Sequence, residues 1–121
     1  MYEWEVNNTE EYDTWFLQQS EEDQVILQTR VFLLKEHGPQ LGRPYADTLK
    51  GSSLRNLKEL RAKTEAHMFR VAYLFDPEQK ALLLIGGDKK GKNEKRFYKG
   101  LIKQAEQIYD LYREKKEQKN G

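Results

Sequence analysis

The sequence has no cysteine, only three prolines and only two histidines among its 121 residues. Without cysteine the chain can form no disulfide bond, no thiolate metal site and no cysteine nucleophile, as is usual for a protein of a reducing compartment. The two histidines, His37 and His67, lie far apart and outside any HExxH motif, so the sequence predicts no bound metal and no cofactor. A GxSxG motif and a glycine-rich P-loop are both missing as well.

Long hydrophobic runs are also missing. No stretch approaches the roughly eighteen apolar residues of a membrane-spanning helix, and the acidic N-terminus lacks the apolar core of a signal peptide. We therefore expect a cytoplasmic protein without a membrane partner. With 37% hydrophobic and 34% charged residues, residues 1–121 are sized for a single domain, whose last residues, about 115–121, should fray.

The net charge of +1 conceals an uneven distribution along the chain. Residues 1–53 carry 4 Lys or Arg against 10 Asp or Glu, whereas residues 54–121 carry 17 against 10. A basic second half indicates a surface for nucleic acid or for an acidic partner, although a simply solvated surface explains the charge equally well.

The first half of the chain is predicted to be mainly helical. A short strand is expected at Tyr2–Val6, followed by a helix that Asn8 caps and that ends near Gln19. Ser20 and Asp23 begin a second helix, which Gly38 ends. Helical spacing predicts that two groups of side chains are buried: Tyr12, Trp15 and Phe16 in the first helix, and Val25, Ile26, Thr29, Phe32 and Leu33 in the second.

The second half is predicted to be a sheet closed by a helix. Residues 38–53 hold two of the three prolines and form a long loop. Three strands follow at about 56–63, 68–75 and 81–85, and Gly86 and Gly87 should end the last one. From Glu94 a helix carries an apolar stripe of Phe97, Leu101, Ala105, Ile108 and Tyr112. The order βααβββα predicts an α+β domain with a mainly antiparallel four-stranded sheet, packed with an N-terminal helical hairpin and a C-terminal helix.

Two arginines occupy the middle of neighbouring predicted strands. Arg61 and Arg70 flank a short turn that should pair their strands, and a guanidinium within a sheet needs a carboxylate, solvent or a ligand phosphate. We favour a ligand phosphate. The structural alternative is Glu59, which lies two residues before Arg61 on the same strand face and would neutralise both arginines.

The loop after the third of these strands is cationic. Residues 88–96 hold four lysines and one arginine, directly after a buried strand that would position them. Tyr98 lies one turn into the last helix, where helical spacing alone makes it a core residue. His67 lies close to Arg70 in the sequence and is a minor candidate for proton transfer.

Three sequence blocks together resemble a known family. The blocks LGRPYADTLKGSSLRNLKELR (41–61), FRVAYLFD (69–76) and LLIGGDKKGKNEKRFYKGLIKQA (83–105) are similar to the RelE/ParE superfamily of type II toxins, and more closely to its HigB-like, phage-associated branch. The resemblance implies a RelE-like fold and a metal-independent endoribonuclease that cuts mRNA on the ribosome through attack by the RNA 2′-OH. It also implies three partners: the ribosome, its mRNA and a cognate antitoxin protein.

The resemblance assigns functions to individual positions. Arg61, Arg70, Lys89 and Tyr98 take the places of the catalytic residues, and the expected RNA-binding residues are Lys58, Lys90, Lys92, Lys95 and Arg96. The arginines would stabilise charge on the phosphate, and Tyr98 or a lysine would accept the 2′-OH proton. Glu59 departs from the pattern, because RelE itself carries a lysine there.

Two other functions remain open. A ParE-like toxin shares the fold but inhibits DNA gyrase, and a non-catalytic RNA-binding module would need the basic sheet but not Tyr98. For the toxin we expect an antitoxin to neutralise the cationic groove of Arg61, Arg70 and residues 89–96, either by covering it or by preventing entry into the ribosome. The acidic helices of the first half would offer a docking surface.

Overall fold

A five-stranded mixed sheet forms the centre of the computed structural model, which describes residues 3–120. The strands are β1 (Val6–Asn8), β2 (Ala46–Thr48), β3 (Lys58–Lys63), β4 (Met68–Phe75) and β5 (Ala81–Asp88), and the helices are α1 (Glu10–Leu17), α2 (Glu21–His37) and α3 (Glu94–Asn120), with a 3-10 helix at Gly38–Gln40. The strand order is β1-β5-β4-β3-β2, in which β1 runs parallel to β5 and the other neighbours are antiparallel. The α+β class is confirmed, whereas the prediction of four strands is wrong.

The two edge strands differ from the prediction. The predicted N-terminal strand begins at Tyr2, outside the described residues, but the observed strand β1 starts at Val6. The fifth strand, β2, lies inside the predicted loop 38–53 and pairs Ala46 with Leu60 of β3. A strand of three residues among prolines and glycines is too short to show a recognisable alternation in the sequence. Its conformation is determined by its pairing with β3.

The two helix starts illustrate the capping rules. The side chain of Thr9, not of Asn8, caps α1 by accepting a hydrogen bond from the Tyr12 N–H at 3.1 Å. Asn8 instead donates to the Asp13 carboxylate. Ser20 caps α2 as predicted and accepts from the Asp23 N–H at 3.1 Å.

The buried face of α2 was predicted wrongly in part. Leu27, Val31 and Leu34 are its buried residues, whereas Val25 is 67% exposed and Phe32 is 53% exposed. Both sets of apolar residues recur at helical spacing, so periodicity alone does not decide which set faces the sheet. In α1, Tyr12 is buried as expected, and Trp15 and Phe16 pack against the same core.

The helices cover both faces of the sheet. Alternation along β4 directs Phe69 and Val71 towards α1 and α2, and Arg70 and Ala72 towards the face that α3 covers. The predicted stripe of α3 is confirmed, since Leu101, Ala105 and Ile108 are buried with Phe97 and Tyr112 packed beside them. The helix continues through Asn120. Within residues 3–120 no helix is both long enough and apolar enough to span a membrane.

The glycine pair of β5 does not end the strand as predicted. Gly86 and Gly87 continue β5, paired with Val71 and Arg70 of β4. An added Cβ at Gly86 would lie 2.4 Å from the Trp15 indole, and one at Gly87 would lie 3.1 Å from the Phe97 ring. The glycines are therefore needed for close approach of two aromatic rings rather than for a turn.

We expect Gly86→Ala to destabilise the protein by about 1–3 kcal/mol, because the new methyl group displaces the Trp15 ring from the core. Gly100→Ala is the matched control in α3, where an added Cβ meets no atom within 4 Å. That change should raise the free energy of unfolding by about 0.5–1 kcal/mol through helix propensity. Urea unfolding of the two variants measures both effects, and equal stability of Gly86→Ala and wild type would contradict the close contact.

Candidate active site

The two arginines singled out in the sequence lie side by side on the sheet face that α3 covers. Arg61 of β3 is the register partner of Arg70 of β4, so the predicted pairing of their strands is confirmed. Like charges directly opposite each other destabilise an antiparallel pair unless an anion compensates them. The anion is supplied by the same strand face, two residues before Arg61.

The carboxylate of Glu59 joins both arginines and a tyrosine. Its Oε2 accepts from Arg61 Nε at 3.1 Å and from Nη2 at 2.9 Å. Its Oε1 accepts from the Tyr98 hydroxyl at 2.7 Å and lies 3.4 Å from Arg70 Nε. Arg70 Nε also donates to the Tyr98 hydroxyl at 3.2 Å. We call these four residues, Glu59, Arg61, Arg70 and Tyr98, the Glu59 cluster.

Burial differs sharply within the Glu59 cluster. The side chains of Glu59 and Arg70 are 3% and 7% exposed, whereas that of Arg61 is 29% exposed. Glu59 therefore lies close enough to both arginines to neutralise them, which is the alternative to a ligand phosphate that the sequence had left open. It does not remove their capacity for a ligand, because a guanidinium has five N–H donors and the contacts of Arg70 to protein atoms use its Nε and Nη1.

Two further carboxylates lie at the edge of the cluster. Asp47 of β2 approaches Arg61 Nη2 at 3.5 Å and pairs with Arg43 at 2.8 Å. Lys89 has its Nζ 5.4 Å from the centre of the Tyr98 ring and 2.7 Å from the Glu94 carboxylate. Each of the three cations, Arg61, Arg70 and Lys89, thus has a carboxylate of the same chain beside it.

The surroundings of the cluster shift its protonation equilibria in definite directions. Burial and the hydrogen bond to Glu59 raise the pKa of Tyr98 above its usual value, so the hydroxyl stays protonated at neutral pH. The hydrogen bond from Arg43 lowers the pKa of Asp47, and the hydrogen bond from Lys89 lowers the pKa of Glu94. Tyr98 by itself is therefore a poor base, and Glu59 is the group positioned to take its proton.

The five residues predicted to bind RNA do not gather at the cluster. Lys58 lies on the opposite strand face and donates to the Pro39 carbonyl at 3.4 Å. Lys90 contacts the Glu65 carbonyl, and Lys95 is exposed on the first turn of α3. Lys92 and Arg96 line a separate cleft beside α1. Their role in binding RNA stays a prediction.

The histidine considered for proton transfer lies elsewhere. His67 stacks on Phe69, and its Nδ1 lies 2.6 Å from the Asp88 carboxylate, while its Nε2 lies 3.4 Å from that of Asp23. Burial acts to raise the pKa of Asp88, but hydrogen bonds from the Met68 N–H, from His67 and from the Lys90 N–H act against it, and the pKa lies below its usual value. Among residues 3–120 no group of three or more His, Asp or Glu side chains is arranged to hold a metal ion.

From the sequence, three members of the Glu59 cluster were predicted to be functional, and the fourth, Glu59, was considered only as a competing partner of the arginines. The signal for Glu59 was available, since a period of two places it beside Arg61. Asp47 was missed because its strand was read as a loop. Both carboxylates change the site from a bare cationic surface to a balanced network.

Comparison with known proteins agrees with this architecture. A family model described as "Phage derived protein Gp49-like (DUF891)" matches residues 14–110. The chain is 38% identical over 95 residues to "Putative toxin HigB3" of Mycobacterium tuberculosis (strain ATCC 25618 / H37Rv), covering 78% of this chain and 81% of that protein. It is 31% identical over 103 residues to "Putative toxin HigB2" of the same organism, covering 84% of this chain but only 51% of that protein.

The breadth of these matches identifies the family. The chain belongs to the Gp49-like (DUF891) family, a family of toxins of the RelE/HigB type. The resemblance to the HigB-like, phage-associated branch of the RelE/ParE superfamily is thereby confirmed.

Loss of the Glu59 carboxylate should be costly. Glu59→Ala leaves two guanidinium groups facing each other, one of them buried, and we expect a loss of about 3–5 kcal/mol in the free energy of unfolding. Asp110→Ala is the control, because it breaks an exposed pair with Arg113 of the same 2.9 Å length. The control should cost less than about 1 kcal/mol. Similar denaturation midpoints for the two variants would show that Glu59 is not needed to hold the cluster.

Proposed function

We propose that this protein is the toxin of a type II toxin–antitoxin pair and that it stops translation as a ribosome-dependent endoribonuclease in the cytoplasm. The observation that carries the proposal is the Glu59 cluster, in which two guanidinium groups and a phenol converge on one sheet face, each within 3.5 Å of the Glu59 carboxylate. Membership of a RelE/HigB-type family supports the assignment as a toxin and implies a cognate antitoxin.

The two arginines suit the phosphate that undergoes attack. Cleavage by the neighbouring 2′-OH passes through a phosphorane with extra negative charge on its non-bridging oxygens. Arg61 is accessible and Arg70 stands directly opposite it, so their guanidinium groups present donors in a fixed arrangement. Glu59 holds both in place before the RNA arrives, which lowers the cost of organising them in the reaction.

Tyr98 and Glu59 together suit the removal of the 2′-OH proton. As the phenolic oxygen of Tyr98 takes the proton of the 2′-OH, its own proton passes along the 2.7 Å hydrogen bond to Glu59 Oε1. The 2′-oxygen then bonds to phosphorus, and the bond from phosphorus to the 5′-oxygen breaks. This pair performs the step without a free tyrosinate, which the raised pKa of Tyr98 makes scarce.

Lys89 is suited to protonate the leaving group. Its ammonium group lies beside the Tyr98 ring and carries a proton for the leaving 5′-oxygen. Of the other predicted RNA-binding residues, the exposed Lys90 and Lys95 suit contacts with RNA phosphates or with ribosomal RNA, whereas Lys58 lies on the opposite strand face and Lys92 and Arg96 line the cleft beside α1. The chemistry requires no cofactor, since arginine and lysine supply the positive charge.

Expression of the chain alone should arrest growth and leave mRNA cut within reading frames, at positions that depend on translation. Primer extension on an inducible reporter mRNA, with and without a start codon, measures this dependence. The fragments should carry a 2′,3′-cyclic phosphate and a 5′-hydroxyl. Co-expression of the adjacent gene should restore growth. Arrest with intact mRNA and trapped DNA gyrase would instead identify a ParE-like toxin.

Tyr98→Phe should separate catalysis from RNA binding. The ring and its contact with Lys89 remain, whereas the proton path to Glu59 is lost, so cleavage should slow by roughly 10²–10⁴-fold. Tyr109→Phe, the same change about three turns further along α3, should cut at the wild-type rate. Cleavage is measured on translating ribosomes with purified variants of matched thermal stability.

Retained translation arrest in Tyr98→Phe without mRNA cuts would favour the non-catalytic RNA-binding module. Arg70→Ala is less suited to this question. Its side chain is buried against Glu59, so a folding defect and a catalytic defect would coincide.

A further inference from the structure

At one edge of the sheet, the edge strand β1 is shorter than its neighbour β5. β1 pairs only with Ala81–Leu83, whereas β5 continues to Asp88. The Thr9 hydroxyl, 3.0 Å and 2.8 Å from the Leu83 and Leu84 carbonyl oxygens, closes the paired part of this edge. Within residues 3–120 no strand pairs with the same edge of residues 85–88, which are joined only to β4.

The hydrogen-bond alternation of β5 places main-chain groups at this open edge. The Lys89 N–H donates to the Met68 carbonyl at 2.8 Å, so Lys89 and, two residues earlier, Gly87 face β4. Gly86, between such positions, therefore directs its N–H and C=O away from β4. Main-chain donors and acceptors of this kind are the template on which a further strand assembles.

The open edge forms the floor of a cleft of about 990 Å³. One wall is α1, with Glu10, Glu11 and the Trp15 ring, and the other is the start of α3 with its preceding loop. The second wall carries Lys92, Arg96 and the Phe97 ring. Because Gly86 and Gly87 have no side chains, the Trp15 and Phe97 rings pack directly against β5. The floor of the cleft is therefore apolar, and it lies between an acidic wall and a basic wall.

We infer that this cleft binds an extended segment of the cognate antitoxin as a sixth strand beside β5. The segment would be about four residues long at the floor, with a basic side chain towards Glu10 and Glu11 and an acidic one towards Lys92 and Arg96. A polypeptide suits the cleft better than RNA, since the carboxylates of α1 repel phosphate and the open edge bonds to a main chain. The inference rests on the toxin–antitoxin assignment but is independent of the ribonuclease mechanism.

Gly100 offers a way to fill the cleft without disturbing the core. It lines the cleft from α3, and a Cβ there meets no atom within 4 Å. Gly100→Trp should therefore fold, as circular dichroism and the melting temperature verify, and its indole should occupy the space of the antitoxin segment. Gly100→Ala is the matched control, which leaves the cleft open.

Isothermal titration of the three proteins with the product of the adjacent gene tests the inference. Gly100→Trp should bind on the order of 100-fold more weakly than wild type, and Gly100→Ala should bind as wild type does. Equal affinity of Gly100→Trp and wild type overturns the cleft as the docking site. No binding by wild type at micromolar concentrations overturns the toxin–antitoxin assignment as well, so the two failures are distinguishable.

Amide exchange tests the strand itself. In the wild-type complex the Gly86 N–H should gain protection, because it becomes bonded to the antitoxin main chain. An unprotected Gly86 in the saturated complex overturns the sixth strand. Loss of translation arrest in Gly100→Trp with unchanged antitoxin affinity would assign the cleft to RNA instead.

Discussion

The buried carboxylate of Glu59 is the constraint on which the rest of the site depends. Without it, the register of β3 and β4 would place Arg61 and Arg70 opposite each other with no anion between them. By accepting hydrogen bonds from Arg61 and from Tyr98, 39 residues further along the chain, it also ties α3 to the sheet. One of the contacts that hold the helix on the sheet therefore also arranges the groups proposed to act on RNA.

The uneven distribution of charge along the sequence places an acidic and a basic surface on either side of β5. The acidic α1 and the basic start of α3 face each other across this strand, although they are far apart in the chain. Gly86 and Gly87 make that arrangement possible, since any side chain there would push away Trp15 or Phe97. Five of the basic residues singled out in the sequence divide between two places: Arg61, Arg70 and Lys89 at the Glu59 cluster, and Lys92 and Arg96 at the cleft.

Much of this fold follows from local patterns, and the failures have identifiable causes. Strands β3 and β4 and the stripe of α3 were predictable because alternation and helical spacing are strong there. The start of β5 was predictable from its continuous apolar run, but its end was not, because Gly86 and Gly87 continue the strand. The face of α2 was not, since Val25 and Phe32 satisfy the helical period as well as Leu27 and Val31 do. Strand β2 arises from pairing with β3, and the Glu59–Tyr98 contact arises from the docking of α3. Both depend on distant parts of the chain, which local pattern does not encode.

The carboxylates of the site also determine how the protein would respond to ionic strength. A bare basic groove collects counterions from solution and gains affinity for nucleic acid by releasing them. Here Arg61 and Lys89 already hold tethered anions, the side chains of Glu59, Asp47 and Glu94. An incoming phosphate would exchange with these side chains, which stay attached and keep competing. Binding of a phosphate at Arg61 and Lys89 would therefore release fewer counterions than binding to a bare basic groove, and its affinity would depend less steeply on salt concentration.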